Sequence, residues 1–329
     1  MAQIDAPILQ PDLTNLDLGD AHDLRVIEGE DRYSIWAFGR MRKLFFITGH
    51  PRSGTTWAAA VLMRHPRVFC DGEFHFHQLR SGFDAIQRQP WHRVSRDPVH
   101  TTAESCFQDT VRLCMGACAN KKPDAEWIGG RTPRRLQVLL PGAPHVVIVR
   151  DGRDVTVSMA IMEMNSGSGA FTEAAADPSL QHARAEFLKD PNFFKNNPDQ
   201  LLACEPFVRS IARRWGDLVR HDLDVAKRIR AGELSATVHF VSYERLHAEP
   251  EAERSAMYQF LGLEPGEAEP LTEDSRTTPG LGQDNHRSDK RKGVVGDWAN
   301  YFTEHSKQWF KDEANDALVA MGYESDDRW

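Results

Sequence analysis

No apolar run in this chain of 329 residues comes near the ~20 residues that a membrane-spanning helix needs. There is no Cys-x-x-Cys pair, and the five cysteines (Cys70, Cys106, Cys114, Cys118 and Cys204) are odd in number. Cys114 and Cys118 stand four apart on an apolar, helix-like stretch, a spacing that suits packing better than chelation. Reduced thiols and no metal site are therefore expected. Positive charge is not in excess: 40 lysines and arginines face 48 acids, a net charge of −8, which argues against general nucleic-acid binding. The stretch from Met1 to Asp20 is acidic and has no basic segment leading into an apolar core, so no secretory signal is readable and a soluble cytoplasmic protein is expected. No repeat or low-complexity linker divides the chain. A chain of this size buries roughly 75% of its unfolded surface and needs no covalent staples.

What is there is a glycine loop at the end of an apolar strand. Leu44-Phe45-Phe46-Ile47-Thr48 runs into Gly49-His50-Pro51-Arg52-Ser53-Gly54, and Thr55-Thr56-Trp57 opens a helix-like segment. A strand that delivers a glycine loop to a helix N-terminus aims unpaired N–H groups at an anion. Gly49 and Gly54 have the spacing of the nucleotide-triphosphate loop G-x-x-x-x-G-K-[ST], and Thr56 fills its Ser/Thr position. The lysine is missing: Thr55 stands there, and the nearest cation is Arg52. Moving the cation changes which bridging oxygen it reaches, so the loop predicts a phosphate-bearing nucleotide other than ATP.

Two further segments complete a pattern. Val146 to Val149 is a continuous apolar run ending in Arg150, with Ser158 eight residues beyond that arginine. Arg291-Lys292-Gly293-Val294-Val295-Gly296-Asp297-Trp298 lies near the end. In this order the three segments resemble the 5′-phosphosulfate loop, the 3′-phosphate motif and the R-K-G-x-x-G-D-W signature of sulfotransferases that use 3′-phosphoadenosine 5′-phosphosulfate (PAPS). One glycine loop is weak evidence; three ordered motifs spread from residue 44 to residue 303 are not.

The resemblance implies a fold, a donor and roles. The fold is α/β, a single P-loop-like domain with a central parallel sheet flanked by helices. PAPS is the donor, 3′-phosphoadenosine 5′-phosphate (PAP) the product, and a hydroxyl-bearing small molecule, glycan, lipid or peptide the acceptor. Arg52, with the backbone N–H groups of Ser53, Gly54, Thr55 and Thr56, would hold the 5′-phosphosulfate. Arginine stays charged and parts with a proton poorly, so Arg52 is assigned electrostatic stabilisation. Trp57 would stack on adenine, the alternative being plain core. Arg150 and Ser158 with Arg291, Lys292 and Gly293 would grip the 3′-phosphate, and Tyr243 would contact the adenosine or pack in the core.

The general base is read by a departure. Cytosolic relatives use the histidine of a Lys-Thr-His segment, and the matching residues here are Arg131-Thr132-Pro133; proline accepts no proton. The tyrosylprotein and glycan branch places a glutamate after a His-Pro-x-Val segment. Here His65-Pro66-Arg67-Val68 is followed by Glu73, the first choice, with His75 next and His77 third. Glutamate needs burial to raise its pKa for such work, whereas histidine needs little tuning. The residues matching the dimer segment of cytosolic relatives, Ala299, Thr303, Glu304 and Gln308, lack its charged anchors, so the oligomeric state stays open. Two other functions remain: a P-loop kinase of small molecules needing Mg²⁺ and ATP, and a nucleotide-binding relative without catalysis.

Along the chain, residues 1–30 read as a loosely held acidic arm and 31–329 as the sulfotransferase domain. Strands are expected at 33–38, 43–48, 68–70, 127–130, 145–150 and 237–242. Helices are expected at 55–64, 102–120, 154–164, 206–230 and 305–321. Residues 165–200, rich in Gly, Ser, Ala, Asp and Pro and weak in period, could be a lid over the acceptor pocket, an acceptor loop or a surface excursion.

Overall fold

The computed structural model describes residues 24–26, 32–88, 96–272 and 293–329. Most of the arm expected over 1–30, and Arg291 and Lys292, lie outside the described residues. Within the arm, Arg25 exchanges both backbone hydrogen bonds with Trp36, at 2.9 and 3.0 Å.

One six-stranded sheet organises the chain. Strands β1 (Ser34–Ala37), β2 (Arg40–Thr48), β3 (Val68–Glu73), β4 (Trp127–Thr132), β5 (Pro144–Val149) and β6 (Thr237–Ser242) lie in the order β3-β4-β2-β5-β6, with β1 added antiparallel to β2. All other pairings are parallel. The register aligns Thr48 with Thr132 and with Val147, Glu73 with Arg131, and Val149 with Ser242. Five strands therefore end along one edge of the sheet, where ligands of open α/β folds bind.

Alternation along β2 divides the core. Phe45 and Ile47 pack with Trp57, Leu62 and Tyr258 on the face covered by helices α1 (Thr55–Leu62), α9 (Tyr243–Ala248) and α10 (Pro250–Phe260). Leu44 and Phe46 face the opposite side, with Phe107, Val111 and Met115 of α3 (Arg96–Gly116). Successive strand residues point to opposite faces, so a run such as Leu44–Ile47 must be apolar throughout when both faces are covered. Between β3 and α3 lies α2 (Phe76–Gln87), an element with no counterpart among the expected helices. Its sequence is polar apart from a narrow stripe, and only Phe76 is buried.

Helix α4 (Gly152–Ser166) follows β5, is capped by Asp151 through Arg153 N–H, and is buried along nearly its whole length. Residues 165–200 contain three short helices: α5 (Ala170–Glu173), α6 (Pro178–Lys189) and α7 (Phe193–Asn196). Their Phe171, Leu180, Phe187 and Phe194 join a core built around Trp215 of α8 (Glu205–Arg230) and Phe310 of α11 (Glu304–Ala320). The weak period of that stretch reflects α5 and α7, four residues each and too short to show a repeat, on either side of the twelve-residue α6. Helix α11 starts with a capping box between Thr303 and Ser306, the reciprocal arrangement that satisfies two orphan N–H groups. Among the described residues no helix is long and apolar enough to cross a membrane.

Candidate active site

The glycine loop leaves β2 at Thr48 and turns through two strained positions. Gly54 is left-handed, at φ +96°, and Arg52 adopts φ +74°. A Cβ on Gly54 would lie 2.6 Å from Tyr243 Cδ2, so only glycine lets the loop approach that ring. A Cβ on Gly49 would meet the Ile148 carbonyl oxygen at 2.4 Å. Helix α1 then begins at Thr55 with no side-chain cap, and its first-turn N–H groups have no acceptor within the helix.

Arg52 reaches across to α4, where its Nε donates to Ser158 Oγ at 3.0 Å. Two residues singled out in separate sequence segments thus meet. Arg150, 5% exposed, joins them to a third. Its Nη1 donates to the Arg52 carbonyl at 3.3 Å and its Nη2 to the Val294 carbonyl at 2.9 Å. Its guanidinium also sits 4.4 Å from the centre of the Tyr243 ring.

Asp154, fully buried one turn along α4, stands 3.6 Å from Arg150 and accepts the N–H groups of Gly296 (2.8 Å) and Trp298 (2.9 Å). Burial pushes its carboxyl pKa up, while Arg150 and the two N–H groups pull it down. The Tyr243 hydroxyl donates to the Gly293 carbonyl at 2.7 Å; burial raises its pKa, and nearby Arg150 opposes the rise. Asp154 is the functional residue that the sequence reading passed over. Its place one turn beyond an arginine at a strand end is a faint trace, but the partners that give it meaning, Gly296 and Trp298, lie more than 140 residues on.

Trp57 is 4% exposed and meets Tyr243 edge to face, ring centres 5.2 Å apart. It is a wall of the loop's core. Arg40, Arg42 and Lys43, close to the loop in sequence, sit at the other end of β2. There Arg40 pairs with Asp124, Lys43 with Glu126, and Arg42 is buried against the Ala125 carbonyl.

Glu73 ends β3 directly opposite Arg131 of β4. Its Oε2 lies 3.5 Å from Arg131 Nη2 and its Oε1 3.9 Å from His75 Nε2. Arg131 also donates to the Thr56 hydroxyl, so one guanidinium spans from Glu73 to the glycine loop. His75 takes the left-handed φ of +40°, its ring 5.8 Å from that of His77. Burial, with Arg134 and His75 nearby, lowers the His77 pKa.

Glu73, His75 and His77 line a cleft of about 780 Å³ that opens beside the loop, with Arg80, Arg134 and Arg214 among its cations and Asp84 and Asp217 among its acids. His50 lies in the same wall, 6% exposed, with Nδ1 2.7 Å from the Pro51 carbonyl. Burial drives its pKa down to about 4, so it is neutral at physiological pH.

The donor wall fits a nucleotide with anionic groups at two ends. Among the described residues, Arg150 Nε and Ser53 Oγ are buried without a hydrogen-bond partner. Together with the uncapped first turn of α1, they are donors waiting for an acceptor.

Known proteins share this pattern. The family described as "Sulfotransferase domain" matches residues 133–321, more than half of the chain, and the one described as "Sulfotransferase family" matches residues 45–189. The chain belongs to the sulfotransferase family. Protein-tyrosine sulfotransferase A of Caenorhabditis elegans is 26% identical over 220 residues, covering 61% of this chain and 56% of that protein. A putative protein-tyrosine sulfotransferase of Caenorhabditis briggsae is 33% identical over 124 residues, covering 36% of this chain and 42% of its own. The chain thus spans about half the length of these curated relatives, or less. Among solved structures, mouse sulfotransferase SULT7A1 complexed with PAP aligns with a TM-score of 0.42 at 17% identity, over 86% of this chain and 85% of that one. The sulfotransferase domain from the curacin biosynthetic pathway aligns with a TM-score of 0.43 at 13% identity, over 87% and 99%.

Proposed function

We propose that this protein transfers the sulfuryl group of PAPS to an acceptor hydroxyl, releasing PAP, and that a tyrosine of a peptide or protein is the acceptor. The observation that carries the donor assignment is the position of Arg150, buried where the glycine loop, α4 and the 293–298 segment meet. The tyrosine assignment rests on the names of the curated relatives and on a cleft wide enough for a side chain presented by a peptide.

The donor supplies an activated sulfuryl group on a good leaving oxygen. Arg52 and the loop N–H groups hold its 5′ end and neutralise charge there, the preorganised stabilisation that transfer reactions depend on. Arg150, Ser158 and Gly293 hold its 3′ end, the role that the family resemblance also gives to Arg291 and Lys292, which lie outside the described residues. Glu73, facing the cleft, takes the proton of the acceptor hydroxyl, and Arg131 keeps that carboxylate in register with Thr56. His75 Nε2, 3.9 Å from Glu73, is at ion-pair distance and not in hydrogen-bond contact.

The kinase alternative is not favoured, because Thr55 occupies the position of the phosphate-binding lysine and the family is one of sulfotransferases. Incubation with ³⁵S-labelled PAPS and a panel of tyrosine peptides, simple phenols and sugars should yield a labelled peptide and PAP. Donor binding without product from any acceptor would establish the non-catalytic relative instead.

A further inference from the structure

Behind the glycine loop, a segment that touches neither end of the donor wall is gripped from outside the sheet. Two neighbouring residues of α8 hold Leu136 by both of its backbone groups. Asp222 Oδ1 accepts the Leu136 N–H at 2.6 Å, and His221 Nε2 donates to the Leu136 carbonyl at 3.0 Å. Two residues earlier, the Arg134 carbonyl accepts the N–H of Gly49, the first residue of the loop, at 3.0 Å. The Arg134 N–H is itself held by the Thr132 carbonyl at 2.8 Å. A path therefore runs from α8 by hydrogen bonds to Leu136, along the backbone to Arg134, and by a hydrogen bond to the loop.

Its far end is rigid. Trp215 of α8 is fully buried against Phe310 of α11, and Arg209 and Arg220 pair with Asp312 and Asp316 across the same two helices. Its near end is confined, since Asp222, only 2% exposed, shares a small cavity under the loop with His50 and Ser53.

We propose that Asp222 is a positioning residue for the donor loop: by fixing Leu136 it sets the place of the Arg134 carbonyl, and through it the position of Gly49. The carboxylate never meets a reactant. Its effect is on how well the loop is organised before the nucleotide arrives. The functional half of this inference rests on the donor reading above; the structural half does not.

The test uses the full chain with Asp222→Ala and Asp222→Asn, read by hydrogen–deuterium exchange and by calorimetry with PAP. In Asp222→Ala the peptides spanning 44–54 and 133–140 should exchange roughly 10-fold faster, while a peptide within 305–318 stays unchanged. PAP affinity should fall roughly 10-fold, with KM for the donor rising more than kcat falls. Asp222→Asn, which keeps an oxygen acceptor in the same place, should restore both.

Unchanged exchange at 44–54 in a folded Asp222→Ala protein would overturn the proposal, as would an asparagine variant as loose as the alanine one. Should Asp222→Ala fail to fold, His221→Ala decides, since it removes only the partner of the carbonyl. Faster exchange at 44–54 supports the path and unchanged exchange refutes it. A loosened loop in a protein that binds no PAP in any form would refute the donor reading alone and leave the positioning role standing.

Discussion

The two walls of the site are built differently. On the donor wall Arg150 and Asp154 are almost wholly buried, and most of their contacts are with backbone atoms: two carbonyls for the arginine, two N–H groups for the acid. On the acceptor wall the side chains of His75 and Glu73 are 54% and 32% exposed, and Arg134 has no ion pair among the described residues. Buried groups tied to the main chain lose little entropy when a ligand arrives, whereas long exposed side chains must still be ordered. One wall is prepared for a single invariant shape. The other leaves choice to side chains that rearrange at little cost.

If that contrast is right, substitutions on the two walls should separate cleanly. The largest effect is expected from Arg150→Ala, which removes the proposed 3′ grip and leaves Asp154 buried without its cation. Loss of one partner of a buried pair costs about 3–5 kcal/mol. PAP affinity by calorimetry should drop by roughly 100-fold or more, with a clear fall in Tm. A retained affinity would dissolve the distinction between the walls. Next, Glu73→Gln should lower kcat by roughly 10² to 10⁴ while PAP affinity stays within about twofold. An equal loss of PAP binding would move Glu73 to the donor wall.

Gly54→Ala forces a side chain into a left-handed residue and against Tyr243, an overpacking that costs about 1–3 kcal/mol. It should weaken PAP binding and lower Tm without changing the preference among acceptors. A pH experiment probes the support beneath the donor wall. Burial raises the Asp222 carboxyl to about 7, with the Leu136 N–H and Arg135 opposing. Its folded pKa exceeds its unfolded value near 3.8, so the native state binds the extra proton between those limits. The stability this group contributes is therefore complete below about pH 4 and is lost as pH rises through 7. Asp222→Asn, which cannot ionise, should gain Tm relative to the parent at pH 8 and not at pH 5; the same offset at both would deny the buried titration. The smallest effect should come from Arg134→Ala, which alters only an exposed side chain. The expected rise in acceptor KM is roughly two- to fivefold, with PAP affinity unchanged.

How much of this could be read beforehand follows the same division. The donor wall was legible because its chemistry needs special residues at strand ends: glycines at left-handed positions, an arginine after a continuous apolar run, a serine two turns further on. Strands β2, β5 and β6 declared themselves by β-branched and aromatic runs. Helix α2 was passed over although Phe76, Leu79, Phe83 and Ile86 recur at helical spacing, because the residues between them are polar and the segment has little apolar content overall. Asp154 was missed since an acid inside a helix usually faces water, and nothing local announces that segment 293–298 folds back onto it from 140 residues away. Arg42 shows how nearness in sequence misleads: a few residues before the loop, it lies near the far end of a nine-residue strand. Arg131 entered only as part of Arg131-Thr132-Pro133, because its meaning comes from the β3–β4 register that sets it against Glu73.

The hold that Asp154 exerts on Gly296 and Trp298 is a hold on main chain alone. It makes no demand on the side chains just before Gly296, where Val294 and Val295 stand 44% and 41% exposed. Those two positions are therefore open to re-coding: a library varied there would alter that exposed surface while the carboxylate kept the backbone in place.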